Sequence, residues 1–176
     1  MALIAAGLLR EKENINKVPR ESGYYKWYAP ESVLKVILDK YYKQIVPLLQ
    51  TKVINGDTYY YVYVGISKSL KRRLNTHVNK TSRVSTLRKT LSSIAAKDQT
   101  DIKKTNALID KMFVEYTAAE CKKAADTEQK EIAKFVLPLN LEFQENKDLA
   151  EYTQWLEKQR GQAIQIKKLT IPTMLS

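Results

Sequence analysis

Asp57-Thr-Tyr-Tyr-Tyr-Val-Tyr-Val-Gly-Ile-Ser-Lys-Ser-Leu-Lys-Arg-Arg-Leu-Asn-Thr-His-Val78 is the stretch that decides the fold. Its first half, Thr58 to Ile66, is aromatic and β-branched and reads as a strand. With a side-chain period of two, Tyr59, Tyr61, Tyr63 and Gly65 share one face, and Tyr60, Val62, Val64 and Ile66 the other. Ser69 then caps a helix that carries Leu70 to Val78. Arg73 and His77 stand four residues apart on that helix and therefore occupy one face of it. Tyr63 precedes Arg73 by ten residues, so strand and helix aim their side chains at a common cleft.

Working outward, Asn55-Gly56-Asp57 is a hairpin turn between Val53-Ile54 and this strand. Upstream, residues 2–16 read as helical, Gly23-Tyr-Tyr-Lys-Trp-Tyr28 as a strand, and Glu31 to about Val46 as one helix that Pro47 stops. Downstream, Ser82 or Ser85 opens a helix with Leu87, Leu91 and Ile94 as its buried stripe. Lys97 to Lys104 reads as a polar loop. Lys111 to Thr117 is a third strand, and Ala118 to Val136 is a helix ended by Pro138. An amphipathic helix from Asp148 to Arg160 is halted by Gly161. Its stripe of Leu149, Tyr152, Trp155 and Leu156 packs either on its own domain or on a partner. Strands interleaved with helices give the class α/β.

The charge is lopsided. Thirty Lys and Arg face nineteen Asp and Glu, for a net +11. From residue 58 to residue 97 there are nine cations and no acid: Lys68, Lys71, Arg72, Arg73, Lys80, Arg83, Arg88, Lys89 and Lys97. Solvated faces mix their signs, so this segment points to a polyanion, and nucleic acid is the expected partner. No apolar run approaches the roughly 18–20 residues of a membrane span, so no membrane association is expected. Met1 to Leu9 is apolar but has no basic lead, which argues against a secretion signal. One cysteine, Cys121, and one histidine exclude a disulfide framework and a Cys/His zinc site. Cys121 is expected as a buried or idle thiol in a reducing, cytoplasmic compartment.

The motifs fall in a telling order: Gly23-Tyr24-Tyr25, Tyr63-Val64-Gly65, a helix with Arg73 and His77, then Glu128 ahead of Ile132 and Pro138-Leu-Asn140. This order resembles the GIY-YIG nuclease family over about Gly23 to Asn140. The resemblance implies a small central antiparallel sheet of about three strands flanked by helices, with added N- and C-terminal helices. It also implies one domain over 1–176, with a catalytic core at about 20–141, an insertion at about 30–57 and a helical extension at 142–176. Two departures stand out. About three dozen residues separate the two tyrosine motifs, and a basic segment follows at Arg83 to Leu91, as in restriction-type members.

From the resemblance, the catalytic set is Tyr25, Tyr63, Arg73, His77 and Glu128, supported by Gly23, Gly65 and Asn140. Lys68, Lys71, Arg72, Lys80, Arg83, Arg88 and Lys89 are the expected DNA contacts. The chemistry suits these residue types. An arginine stays charged and meets phosphate oxygens as a fork. One carboxylate with several waters is the sparse shell that Mg²⁺ (or Mn²⁺) accepts, and Glu128 is the expected ligand, with Glu131 and Glu120 as alternatives. Tyrosine is a poor base at its ordinary pKa of about 10, and nearby cations and the metal are expected to make the phenolate more accessible. Tyr25 is assigned to water activation and Tyr63 to orienting the nucleophile. His77 shuttles a proton or holds the phosphate. Taken singly, each has an ordinary explanation: strand tyrosines pack in cores, Glu128 can be a solvated helix charge, and Asn140 is a loop-fixing hydrogen-bonder.

The expected activity is Mg²⁺-dependent, restriction-like DNA endonuclease action. Only thirty-six residues (141–176) follow Asn140, which disfavours homing-type and multidomain excision-repair architectures. Recognition is assigned to the insertion after Tyr28, the 80–91 segment and the C-terminal helix. A non-catalytic nucleic-acid-binding protein on the same scaffold, or a stand-alone repair or mobile-element nuclease, is the alternative. One active site cuts one strand, so a homodimer on DNA is expected for double-strand breaks.

Overall fold

The computed structural model of the chain describes residues 2–79, 85–95, 102–140 and 149–169, with side chains as far as residue 161. In chain order the elements are β1 (Ala2–Ala5), α1 (Lys12–Lys17), β2 (Gly23–Pro30), α2 (Glu31–Leu38), α3 (Tyr42–Ile45), β3 (Thr51–Ile54), β4 (Asp57–Ser67), α4 (Leu70–Asn79), α5 (Thr86–Ala95), α6 (Ile102–Ile109), β5 (Phe113–Ala118), α7 (Cys121–Lys134) and α8 (Ala150–Leu169). Among the described residues the strands make one five-stranded sheet, order β1-β5-β2-β4-β3, with every pairing antiparallel. Three strands were expected. The two extra ones, β1 and β3, are short edge strands of four residues each.

β1 replaces the first part of the helix expected over 2–16. Its residues Ala2 to Ala5 pair with Tyr116 to Phe113, and Ala6 N–H continues the ladder to the Met112 carbonyl at 2.9 Å. The free edge of β5 supplies these hydrogen bonds, and a local apolar repeat carries no trace of a partner so distant in sequence. The helix expected from Glu31 to Val46 is broken at Asp39, which takes φ 48°. α6 begins at Ile102, inside the polar loop expected over Lys97 to Lys104, because Thr105, Leu108 and Ile109 are buried. α8 runs through Gly161 to Leu169; a lone glycine costs a helix only about 1 kcal/mol. Asn55 (φ 54°) and Gly56 (φ 89°) form the expected tight turn between β3 and β4.

The sheet has an apolar layer on each face. Trp27, Tyr25, Val62 and Val114 join Leu34, Leu74, Leu91, Ile109 and Leu156 from the helices in the larger core. Tyr28, Tyr61 and Val64 make a smaller cluster with Leu137 and with Ile132 and Phe135 at the end of α7. The strict alternation expected along β4 fails at one point. Trp27 pairs with Tyr63 but Tyr28 pairs with Tyr61, so Val62 is an extra residue in the ladder. Such a bulge puts two consecutive residues on the same face. Tyr63 therefore joins Val62, Trp27 and Tyr25 in the larger core, while Tyr61 stays on the other side.

Beyond β3, the outer edge of β4 is closed without a strand. Tyr61 N–H donates to the Gln50 carbonyl and Leu139 N–H to the Val62 carbonyl, at 2.9 and 3.0 Å. The Asn140 side chain completes the row: its Oδ1 accepts from Val64 N–H and its Nδ2 donates to the Val64 carbonyl, both at 2.8 Å. A carboxamide imitates the peptide group of an absent neighbour, and these buried backbone groups are satisfied.

Candidate active site

A cavity of about 190 Å³ opens where β2, β4 and four helices converge, lined by Tyr25, Tyr63, Gly65, Arg73, Glu128 and Asn140 together with Thr86, Ile132 and Arg160. Tyr25 and Tyr63 meet at a ring-centroid distance of 6.3 Å. Gly65, opposite Tyr25 in the ladder, is there because the phenol lies over it. A Cβ at Gly65 would sit 2.5 Å from the Tyr25 hydroxyl and 2.7 Å from its ring. Gly23 allows an equally close approach, since a Cβ there would lie 2.1 Å from the Thr117 carbonyl.

The Tyr25 hydroxyl, fully buried, is the hub. Arg73 donates to it through Nε at 3.2 Å, and His77 Nε2 lies 3.0 Å from it. The Arg73 guanidinium also acts on the ionisation of Tyr63, and each phenol acts on that of the other. His77 reaches this point from α4 as the i+4 neighbour of Arg73, packed edge-on against Tyr25, Trp27 and Tyr63. Its other nitrogen, Nδ1, lies 2.7 Å from Ser85 Oγ. Ser85 caps α5, its Oγ accepting from Arg88 N–H at 3.1 Å. The sequence marked Ser85 as a helix opener; nothing in it marked the contact with His77.

Electrostatics follow burial. Desolvation raises the Tyr25 pKa and outweighs the opposing charge of Arg73. Desolvation, followed by the neighbouring Tyr25, holds Tyr63 well above its ordinary value. Among the protein's own groups, burial outweighs the lowering effect of the nearby Arg73 on both phenols. Burial, then Arg73 and Arg88, keeps His77 well below its usual value, and the imidazole is neutral. Arg73, which burial alone would pull down, is held above its normal value by the two phenols.

Among the alternative carboxylates, only Glu128 lines the cavity, and its charge acts on both Tyr25 and Tyr63. Glu131 instead pairs with Lys26 at 2.9 Å on the other face of the sheet. Glu120 is exposed ahead of α7. No cluster of three or more His, Cys, Asp or Glu occurs among the described residues. Of these three carboxylates Glu128 is the one placed to hold a hard cation in the cavity, and one carboxylate with water is a donor set that Mg²⁺ accepts. Cys121, expected as a buried or idle thiol, is free and exposed at the start of α7.

The expected DNA contacts separate. Lys68 and Arg72 are exposed, and Lys71 and Lys89 are half-buried. Arg88 is not a surface cation: its residue is 1% exposed. Its guanidinium donates to the His77 carbonyl at 2.8 Å and to Asn106 Oδ1 at 2.7 Å. Arg10 joins it at the Val78 carbonyl, so two cations close the C-terminal end of α4, where helix carbonyls favour positive charge. Burial, then repulsion from Arg10, pushes the Arg88 pKa down to about 10. Lys80 and Arg83 lie outside the described residues. Arg160, from α8, lines the cavity without having been expected there. The apolar stripe of α8 packs on its own domain: Leu149, Tyr152 and Leu156 are buried, and the Tyr152 hydroxyl donates to the Ile37 carbonyl at 3.2 Å.

A family model for the GIY-YIG catalytic domain matches residues 23–162. No curated protein and no solved structure matches the chain.

Proposed function

The chain belongs to the GIY-YIG catalytic-domain family, and on that premise we propose that it is a Mg²⁺-dependent, restriction-like endonuclease hydrolysing DNA phosphodiester bonds. The observation that supports this most is the meeting of Tyr25 with Arg73 and His77 in a cavity that Glu128 also lines. A protein that only binds DNA has no use for that carboxylate beside a phosphate site. Among the described residues no helix is long and apolar enough to cross a membrane, and the proposed setting is cytoplasmic.

In this reading Arg73 meets the scissile phosphate from the cavity and stabilises the charge that builds on its oxygens. Tyr63, beside Tyr25 and lining the same cavity as Arg73, orients the attacking water. Tyr25 receives a proton from that water while its own hydroxyl proton passes to His77 Nε2, which spares a buried phenolate. Ser85 accepts at Nδ1 and steadies the ring. Glu128 would hold the metal, which when bound supplies charge neutralisation at the departing 3′ oxygen. Gly23, Gly65 and Asn140 hold the strands in register around these groups. A double-strand break needs two such sites or two successive nicks. The homodimer on DNA rests on this one-strand argument alone, because α8 spends its apolar stripe internally.

The test is incubation with plasmid and branched DNAs plus Mg²⁺, with end-sequencing of the products and EDTA as the control. Glu128→Gln should abolish cleavage and leave duplex binding largely intact. Cleavage retained by Glu128→Gln would overturn the metal assignment, and no cleavage of any substrate would overturn the nuclease reading.

A further inference from the structure

A second concavity, of about 370 Å³, lies beside α4 on the side away from the active-site cavity's lining, between α1, the loop after it and the first turns of α4. Its polar lining is Asn16, Arg20, Ser69, Lys71, Arg72 and Asn75, with no carboxylate among the described residues that form it. The backbone fixes this arrangement. Leu70 N–H donates to the Glu21 carbonyl and Lys71 N–H to the Pro19 carbonyl, both at 2.9 Å. These bonds tie the Pro19–Glu21 loop across the start of α4 and bring Arg20 into the same groove as Arg72. They also occupy two of the helix's leading N–H groups, so the side chains supply the groove's character.

Hydrogen-bond accounting shows what those side chains can accept. Asn16 Oδ1 is already taken by Lys71 Nζ at 2.8 Å, and Asn75 Oδ1 by Asn79 Nδ2 at 2.7 Å. The carboxamide acceptors facing the groove are thus engaged within the protein. What faces outward is the guanidinium forks of the exposed Arg20 and Arg72, with the ammonium of Lys71 and the amide of Asn75 beside them. A groove rich in cationic donors, with no carboxylate among the described residues that line it, selects an oxyanion.

We infer that this groove is a second phosphate-binding site, in which Arg20 and Arg72, assisted by Lys71 and Asn75, hold a phosphodiester of duplex DNA other than the one being cut. The inference rests on the proposed nuclease reading for the identity of the polymer. Arg72 and Arg73 are consecutive on α4, and they serve different phosphates because a helix turns about 100° per residue. One helix thereby sets the spacing between the held phosphate and the reactive one. Contacts of this kind position DNA without reading its sequence.

The test is binding of a 20-base-pair duplex in EDTA, followed by fluorescence anisotropy from 50 to 200 mM NaCl. Arg20→Gln/Arg72→Gln should lower the log–log salt slope by about one, at about 0.9 per phosphate contact. Lys103→Gln/Lys111→Gln removes the same charge at exposed positions elsewhere and should shift the slope far less. Unaltered melting temperatures establish that both variants fold. Equal slopes in the two double variants would overturn the site, and so would an unchanged slope in the arginine variant. Calorimetry with inorganic phosphate forms a second arm: loss of phosphate binding by the arginine variant with unchanged DNA binding would overturn the DNA assignment. A protein that shows the slope change yet cuts no duplex with any divalent metal keeps this site and loses the nuclease reading.

Discussion

The Tyr25 hydroxyl and His77 Nε2 stand 3.0 Å apart, inside a core where both residues are wholly shielded from solvent. A phenol and a neutral imidazole in hydrogen-bond contact share one proton between two poor charge carriers. Whichever way it moves, a charge appears in a place that resists it. Arg73 on the phenol oxygen and Ser85 on the far ring nitrogen are the groups that soften that cost.

The neutrality of His77 makes a stability prediction with a definite sign. The unfolded chain takes up a proton on this histidine below pH about 6.5, whereas the folded protein resists it. Stability is therefore complete above that pH and is lost as pH falls, by up to about 1.4 kcal/mol per pH unit. The chain has one histidine, so denaturant titrations between pH about 6.5 and about 5, above the carboxylate range, isolate it. His77→Gln should flatten the curve. A wild-type protein with pH-independent stability there would mean that the buried ring carries a proton.

Arg73→Ala should slow turnover by about 10²-fold or more, some 2.7 kcal/mol of transition-state stabilisation. Arg73→Lys should recover little, since an ammonium lacks the planar fork that spans two phenols and a phosphate. Single-turnover cleavage rates decide it, and a fully active lysine variant would reduce the role to bare charge.

Gly65→Ala should leave a folded protein with a displaced Tyr25. The new methyl meets the far end of that side chain at 2.5 Å, and the phenol must leave Arg73 and His77 to make room. A misplacement of about 1 Å is enough to cost roughly 10² in rate. Melting temperature and turnover measured together test this, and wild-type turnover would show that Tyr25 does not need its present position.

Arg88→Met should destabilise the fold by about 2 kcal/mol or more, because the carbonyls and carboxamide it serves become unpartnered in the interior. The salt dependence of DNA binding should not change. A flatter salt slope with unaltered stability would return Arg88 to the surface.

Much of the candidate site is legible in the sequence because its determinants are local. The four-residue step from Arg73 to His77, the strand that runs directly into their helix, and the short interval from Glu128 to Asn140 survive folding as spacings. What the sequence hides is set by partners far away along the chain. Ala2 to Ala5 is a strand because β5 has a vacant edge more than a hundred residues later. Arg88 reads as one more cation in an acid-free run, but the carbonyls at the end of α4 draw it inward. Gly161 looks like a stop, yet α8 continues through it.

The extra residue Val62 gives the length of β4 a chemical meaning. Side chains before it and after it obey opposite parities, and through that offset Tyr63 lines the same cavity as Tyr25. Deleting Val62 would restore an unbroken ladder to Tyr61 and keep every functional residue in the sequence. Trp27 would still face Tyr63 and Tyr28 would still face Tyr61, so both phenols would keep their side of the sheet. What the extra residue adds is reach: Tyr61 and Tyr63, two positions apart, serve opposite layers of the molecule.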